Sequence, residues 1–99
     1  MKITFAEEGW SEYLYWQTQD KKIVKKINQL LQSIERDGVL QGIGKPELLK
    51  YGKSGSYSRR IDDVNRLVYE VTNDQIIVKS CKGHYNDWNR GVEIINPYD

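Results

Sequence analysis

Tyr57-Ser58-Arg59-Arg60-Ile61, Arg66-Leu67-Val68-Tyr69-Glu70-Val71 and Gln75-Ile76-Ile77-Val78-Lys79-Ser80-Cys81 are three runs separated by Asp/Asn-bearing segments at 62–65 and 73–74. β-Branched and aromatic residues suit a pleated, half-buried surface, and connections this short join neighbouring strands antiparallel. The stretch therefore reads as a three-stranded meander. In the middle run Leu67, Tyr69 and Val71 point to one face, while Arg66, Val68 and Glu70 point to the other. The first set belongs beneath a helical layer. In the run before it Ser58 and Arg60 share one face and Tyr57, Arg59 and Ile61 the other, so one arginine of the Arg59-Arg60 pair faces away from its neighbour.

Upstream, the periodicity changes from two to about 3.6. Ile23, Ile27, Leu30, Leu31 and Ile34 recur at i, i+4, i+7, i+8 and i+11 after the capping residue Asp20, with Lys22, Lys25, Lys26, Gln29 and Gln32 opposite. That spacing predicts a strongly amphipathic helix. A preceding helix is expected from about Glu7, with Trp10, Tyr13, Leu14 and Gln17 at three- and four-residue steps and Glu7, Glu8 and Glu12 in its early turns, where the helix dipole favours acids. Ile3 and Phe5 alternate with Lys2 and Thr4 as a first strand. Gly38, Gly42, Gly44 and Pro46 mark a loop over 37–46 that delivers Glu47-Leu48-Leu49-Lys50, read as one helical turn. Strand, two helices, then strands imply an α+β layer with both helices on one face of the sheet and the opposite face available.

Ninety-nine residues support one compact domain. The opening Met1-Lys2-Ile3-Thr4-Phe5 lacks the apolar run of a signal peptide, and no eighteen apolar residues stand together, so a cytoplasmic, membrane-free protein is expected. The single Cys81 excludes an internal disulfide and reads as a small apolar strand residue before it reads as a nucleophile. Net charge is only +1, but its distribution is uneven. Residues 1–20 carry one positive against four negative charges, whereas 21–38 and 39–66 each sum to +3 and 86–99 to −2. A basic middle suits phosphate binding; a solvated lysine face on one helix accounts for Lys22, Lys25 and Lys26 equally well.

Candidate chemistry gathers in three places. Glu47 stands among Lys45, Lys50 and Lys53, with Pro46 fixing the approach; either it forms surface ion pairs or it is a carboxylate beside a phosphate surface. Arg59, Arg60 and Arg66 are soluble surface residues or phosphate ligands. His84 is the only histidine, followed by Tyr85, and reads either as a strand-end residue or as a proton-transfer group. With no second His and no Cys cluster, neither a metal nor another cofactor is expected. Metal-free RNA cleavage needs a base for the ribose 2′-hydroxyl, an acid for the departing 5′-oxygen, and cations for the charge on phosphorus. The inventory contains such parts, although spacing alone does not bring them together.

Longer strings carry a resemblance. Tyr13-Leu14-Tyr15-Trp16-Gln17, Ile23-Val24-Lys25-Lys26-Ile27-Asn28, Gly44-Lys45-Pro46-Glu47-Leu48-Leu49-Lys50, Ser58-Arg59-Arg60-Ile61, Asn65-Arg66-Leu67-Val68-Tyr69 and Gly83-His84-Tyr85 occur in an order and spacing that resemble YoeB-type toxins of the RelE/ParE superfamily. The resemblance runs through almost all of residues 1–85. It implies a RelE-like α+β fold: two N-terminal helices packed on a twisted, mainly antiparallel sheet of four to five strands. It implies the toxin of a type II toxin-antitoxin system, an endoribonuclease (mRNA interferase) that cleaves messenger RNA in the ribosomal A site and inhibits translation. Glu47 would be the general base, His84 the general acid and Arg66 the stabiliser of the pentacovalent phosphate. Tyr85 would orient the substrate or the acid, and Lys50, Arg60, Lys45 and Arg59 would bind RNA phosphate. Implied partners are a YefM-like antitoxin, the ribosome with its message, a second copy of the chain, and operator DNA only through the antitoxin complex. A non-catalytic relative that binds RNA, ribosome or antitoxin is the alternative. Beyond the 1–85 domain, residues 86–99 form an extension unusual for the family. Trp88, Val92, Ile94, Ile95 and Tyr98 make it too apolar for a polar tag, and it reads as an added strand or a flexible tail.

Overall fold

The computed structural model describes residues 1–49 and 55–83. Its elements are β1 (Lys2–Phe5), α1 (Glu7–Gln19), α2 (Lys21–Asp37), β2 (Glu47–Leu48), β3 (Ser56–Arg60), β4 (Arg66–Val71) and β5 (Gln75–Ser80). The sheet order is β1-β5-β4-β3-β2. β1 runs parallel to β5, and every other pair is antiparallel. The meander thus forms as its turns predict, and both helices pack on one face.

α2 buries the stripe read from the sequence: Ile23, Ile27, Leu30, Leu31 and Ile34 join Leu67, Tyr69, Ile76 and Val78 in one core. Its N-terminus is capped by Asp20, whose carboxylate accepts from the Lys22 N–H at 3.0 Å. Burial of each large aliphatic side chain contributes about 1.5–3 kcal/mol, so this helix anchors the layer. α1 differs from expectation. It turns Gly9 and the partly buried Tyr13 and Trp16 toward the sheet and core, leaving Trp10 and Leu14 exposed. Gly9 is the reason, because a Cβ there would stand 2.4 Å from the Val78 carbonyl oxygen. Only a residue without a side chain lets the helix approach so closely, and that contact fixes its rotation.

Glu47-Leu48 is also not the helical turn that its sequence suggests. It is a short edge strand, with Glu47 opposite Ser58 and Leu48 opposite Tyr57. So short a helix would bear the full nucleation cost, whereas the edge of β3 offers ready ladder partners. Cys81 lies one residue past β5 and is buried. Among the described residues, no helix is long and apolar enough to cross a membrane.

Candidate functional site

Cross-strand partners project to the same side of a sheet, so the register defines the surface opposite the helices. Glu47, Ser58, Val68 and Ser80 form one row across four strands, and Arg60 faces Arg66 in the adjacent row. The middle of the first row is buried, whereas Glu47 and Arg60 are exposed and Arg66 retains 8% exposure. From Glu47 to Arg66 the backbone crosses two strand spacings, roughly 10 Å, and moves two residues along the strand, about 7 Å. A carboxylate and two guanidinium-bearing residues therefore share one face, with the Glu47 and Arg66 backbones roughly 12 Å apart, a gap that two long side chains can narrow from both sides. Lys45 is exposed on the approach to Glu47. It adopts a left-handed φ of 49° between Gly44 and Pro46.

Arg66 is fixed at the β3–β4 corner. Its Nη1 donates to the carbonyls of Asp62 at 2.6 Å and Asn65 at 3.1 Å, and its other guanidinium nitrogens make no hydrogen bond among the described residues. That leaves donor capacity for an anion. The Asp62 carboxylate organises the corner by accepting from the N–H groups of Val64 at 2.9 Å and Asn65 at 2.7 Å and from the Asn65 side-chain amide. Partial burial raises the Asp62 pKa, but the bonds from Asn65 and Val64, with the Arg66 charge, hold it below the ordinary value.

The same corner holds the end of β5. Asn65 Oδ1 accepts from the Gly83 N–H at 2.8 Å, and the Arg66 N–H donates to the Gly83 carbonyl at 2.9 Å. Gly83 immediately precedes His84 in sequence, so the chain is anchored beside Arg66 one residue before the candidate acid. From the helix side, Glu12 Oε1 accepts from the Cys81 N–H at 2.7 Å and Trp16 Nε1 donates to the Cys81 carbonyl at 2.9 Å. Burial raises the Glu12 pKa, opposed by the bond from Cys81. Burial and the neighbouring Glu12 push the Cys81 thiol up to about 12, which leaves it protonated and supports its reading as a small apolar residue. Lys50, His84 and Tyr85 lie outside the described residues, as does the 86–99 extension.

The expectation that Arg59 binds RNA phosphate is corrected by its placement. Arg59 sits opposite Leu67 on the helix-covered face and is fully buried. Its Nε donates to Tyr69 Oη at 2.9 Å, and Nη1 to Ser33 Oγ at 3.1 Å and the Ile43 carbonyl at 2.8 Å. Nη2 faces the carbonyls of Gly38, Val39 and Gln41 at 2.8, 3.2 and 2.6 Å. With every guanidinium nitrogen engaged inside the protein, Arg59 has nothing left to offer a ligand. Of the adjacent arginines, only Arg60 faces outward, as strand alternation requires.

Asn65, Asp62, Glu12 and Ser33 position these groups and were not singled out by sequence reasoning. The Asp62-x-x-Asn65 spacing between two strands is a local signal for a side-chain-capped turn. Glu12 and Ser33 carry no such signal for these roles, because the Cys81 N–H that Glu12 accepts is 69 residues away and the Ile43 and Arg59 donors to Ser33 are 10 and 26 residues away.

With that geometry in view, the family model of YoeB-like toxins of bacterial type II toxin-antitoxin systems matches residues 5–85. Toxin YoeB of Escherichia coli K12 is 51% identical over 85 residues, which cover 86% of this chain and 100% of that protein. The YoeB dimer of Staphylococcus aureus superposes with a TM-score of 0.82 at 54% identity, covering 86% of this chain and 98% of that one. The heterotetrameric YoeB-YefM complex from the same organism gives a TM-score of 0.80 at 54% identity, with the same coverage.

Proposed function

The chain belongs to the YoeB-like toxins of bacterial type II toxin-antitoxin systems, and from that premise we propose that it is an endoribonuclease that cuts messenger RNA in the ribosomal A site without a metal ion. The observation that carries this reading is the common face of Glu47, Arg60 and Arg66 beside the anchored Gly83. In the proposed reaction the Glu47 carboxylate removes the proton of a ribose 2′-hydroxyl, and the 2′-oxygen attacks the adjacent phosphorus. As that bond forms, the bond from phosphorus to the 5′-oxygen breaks, and His84 protonates the departing oxygen. The products are a 2′,3′-cyclic phosphate, which water opens to a 3′-phosphate, and a 5′-hydroxyl end. Arg66 neutralises charge on the pentacovalent phosphate through the guanidinium nitrogens that make no hydrogen bond among the described residues, because a planar guanidinium matches phosphate oxygens in pairs. Arg60, Lys45 and Lys50 bind flanking phosphates, and Tyr85 orients the substrate or the acid. The ribosome contributes orientation that so small a protein does not supply alone.

Residues 1–85 constitute the catalytic domain in this reading, with 86–99 an added segment, and the protein acts in the cytoplasm. Its inhibitor is a YefM-like antitoxin whose acidic segment folds over the cationic face, as charge complementarity favours. The Staphylococcus aureus relatives form a YoeB dimer and a YoeB-YefM heterotetramer, which motivates the same two assemblies here. The test is end-mapping of messages cut in a reconstituted translation system. Wild type should leave the stated termini, and Glu47→Ala or His84→Ala should slow cleavage on the order of 10²- to 10⁴-fold. Equal cleavage by wild type and both variants rejects the assigned chemistry. Ribosome binding together with undiminished growth inhibition by the double variant makes the protein a non-catalytic binding module instead.

A further inference from the structure

The loop between α2 and β2 makes few backbone hydrogen bonds of its own. The Gly38 N–H donates back to Ile34 at 3.1 Å and the Gln41 N–H to Gly38 at 3.4 Å, but the carbonyls of Gly38, Val39, Gln41 and Ile43 all turn to the Arg59 guanidinium. Two side chains complete the shell. Ser33 Oγ accepts from Arg59 and from the Ile43 N–H at 3.2 Å, while donating to Asp37 at 2.9 Å. Tyr69 Oη accepts from Arg59 and donates to Val39 at 2.7 Å. A segment without regular structure thus takes its shape from one buried cation, which among the described residues is met by backbone dipoles and reaches the Asp37 carboxylate only through Ser33.

The end of this loop determines where Glu47 enters the sheet. Gly44 packs so closely that a Cβ would lie 2.6 Å from Leu30 Cδ2 and 3.1 Å from Arg59 Cβ, and its carbonyl accepts from the Arg60 N–H at 2.6 Å. Three residues later Glu47 begins a strand of two residues, too short to fix its own position. We propose that Arg59 is a positioning residue: its guanidinium shapes loop 38–46 from inside the fold and thereby sets the Glu47 carboxylate on the opposite face. This rests on the reading of Glu47 as the base. Lysine does not substitute for Arg59, since a compact ammonium lacks the planar fork that reaches both sides of the loop at once.

The test compares message cleavage on programmed ribosomes by wild type, Arg59→Lys and Tyr69→Phe at a temperature where each variant is folded by circular dichroism. Misplacement of a reacting group by about 1 Å costs on the order of 10²-fold, so kcat should fall roughly 10- to 100-fold in Arg59→Lys and less in Tyr69→Phe, with KM nearly unchanged. In a Glu47→Ala background neither change should lower kcat further. Amide exchange should quicken at Ile43, Arg60 and Leu49, whose N–H groups bond to Ser33, Gly44 and Ser56. If Arg59→Lys does not fold, Tyr69→Phe carries the same comparison. A wild-type kcat in folded variants, an undiminished loss in the Glu47→Ala background, or unchanged exchange at those three amides overturns the proposal. Failure of the base assignment is separate: Glu47→Ala would then cleave like wild type, and the exchange result alone would decide whether Arg59 positions the loop.

Discussion

Two regions bring the candidate groups to one face, and they use opposite charges to do so. The loop leading to Glu47 is organised around the buried guanidinium of Arg59, which is surrounded by carbonyl oxygens. The corner carrying Arg66 and Gly83 is organised around the carboxylate of Asp62 and the amide of Asn65, which collect N–H groups. The difference follows from what each segment leaves unpaired. The loop presents carbonyls inward to one cation, whereas the tight turn divides its groups, with the N–H groups of Val64 and Asn65 going to the Asp62 carboxylate and the carbonyls of Asp62 and Asn65 to Arg66.

The largest expected effect isolates the loop. Arg59→Met should destabilise the protein on the order of 3–5 kcal/mol in urea unfolding, because buried carbonyls lose their donors together. Arg60→Ala, one residue away, should stay within about 0.5 kcal/mol. Similar losses at both positions would mean that the loop is not built on its cation.

A smaller effect is expected at the corner. Asn65→Ala removes the acceptor for Gly83 and the donors to Asp62, and should cost about 1–3 kcal/mol. Amide exchange should quicken at Gly83 and Arg66 while Ile43 keeps its protection. If Ile43 loosens equally, the two regions are one cooperative unit.

The smallest effect is a pH dependence of two signs. Asp62 is depressed, so its contribution is present above its ordinary value of 3.8 and is lost as pH falls through the lowered one. Glu12 is raised, so the folded state favours its protonated form: it is penalised at neutral pH and relieved as pH falls through the raised value toward 4.5. In thermal melts Asp62→Asn should be less stable than wild type at neutral pH and converge with it in strong acid. Glu12→Gln, whose amide oxygen can still accept from Cys81, should match or exceed wild type at neutral pH and lose that advantage near pH 4.5. Parallel profiles for the two variants would remove the distinction between the carboxylates.

Much of this was legible in the chain because it depends on local periodicity. The apolar stripe from Ile23 to Ile34, the Asp20 cap and the turns at 62–65 and 73–74 are short-range patterns, and the folded chain carries each of them. Alternation in β3 likewise required Arg59 and Arg60 to diverge. It did not say which went inward. Nor did periodicity identify the rotation of α1, which a single close contact between Gly9 and Val78 settles, or the strand at Glu47-Leu48, which exists because β3 offers an edge.

Residue order and identity suffice for the layer architecture, the family and the chemical types available, since each rests on local pattern and composition. Tertiary structure alone decided that Arg59 is an internal ligand for a loop, that Asn65 ties Gly83 beside Arg66, and that Glu47 shares a face with Arg60 and Arg66. The physical reason is that a buried charge or an unpaired backbone group must find its partner wherever the fold supplies one. Those partners lie 10 to 26 residues from Arg59 and 18 from Asn65, well beyond the reach of any local pattern.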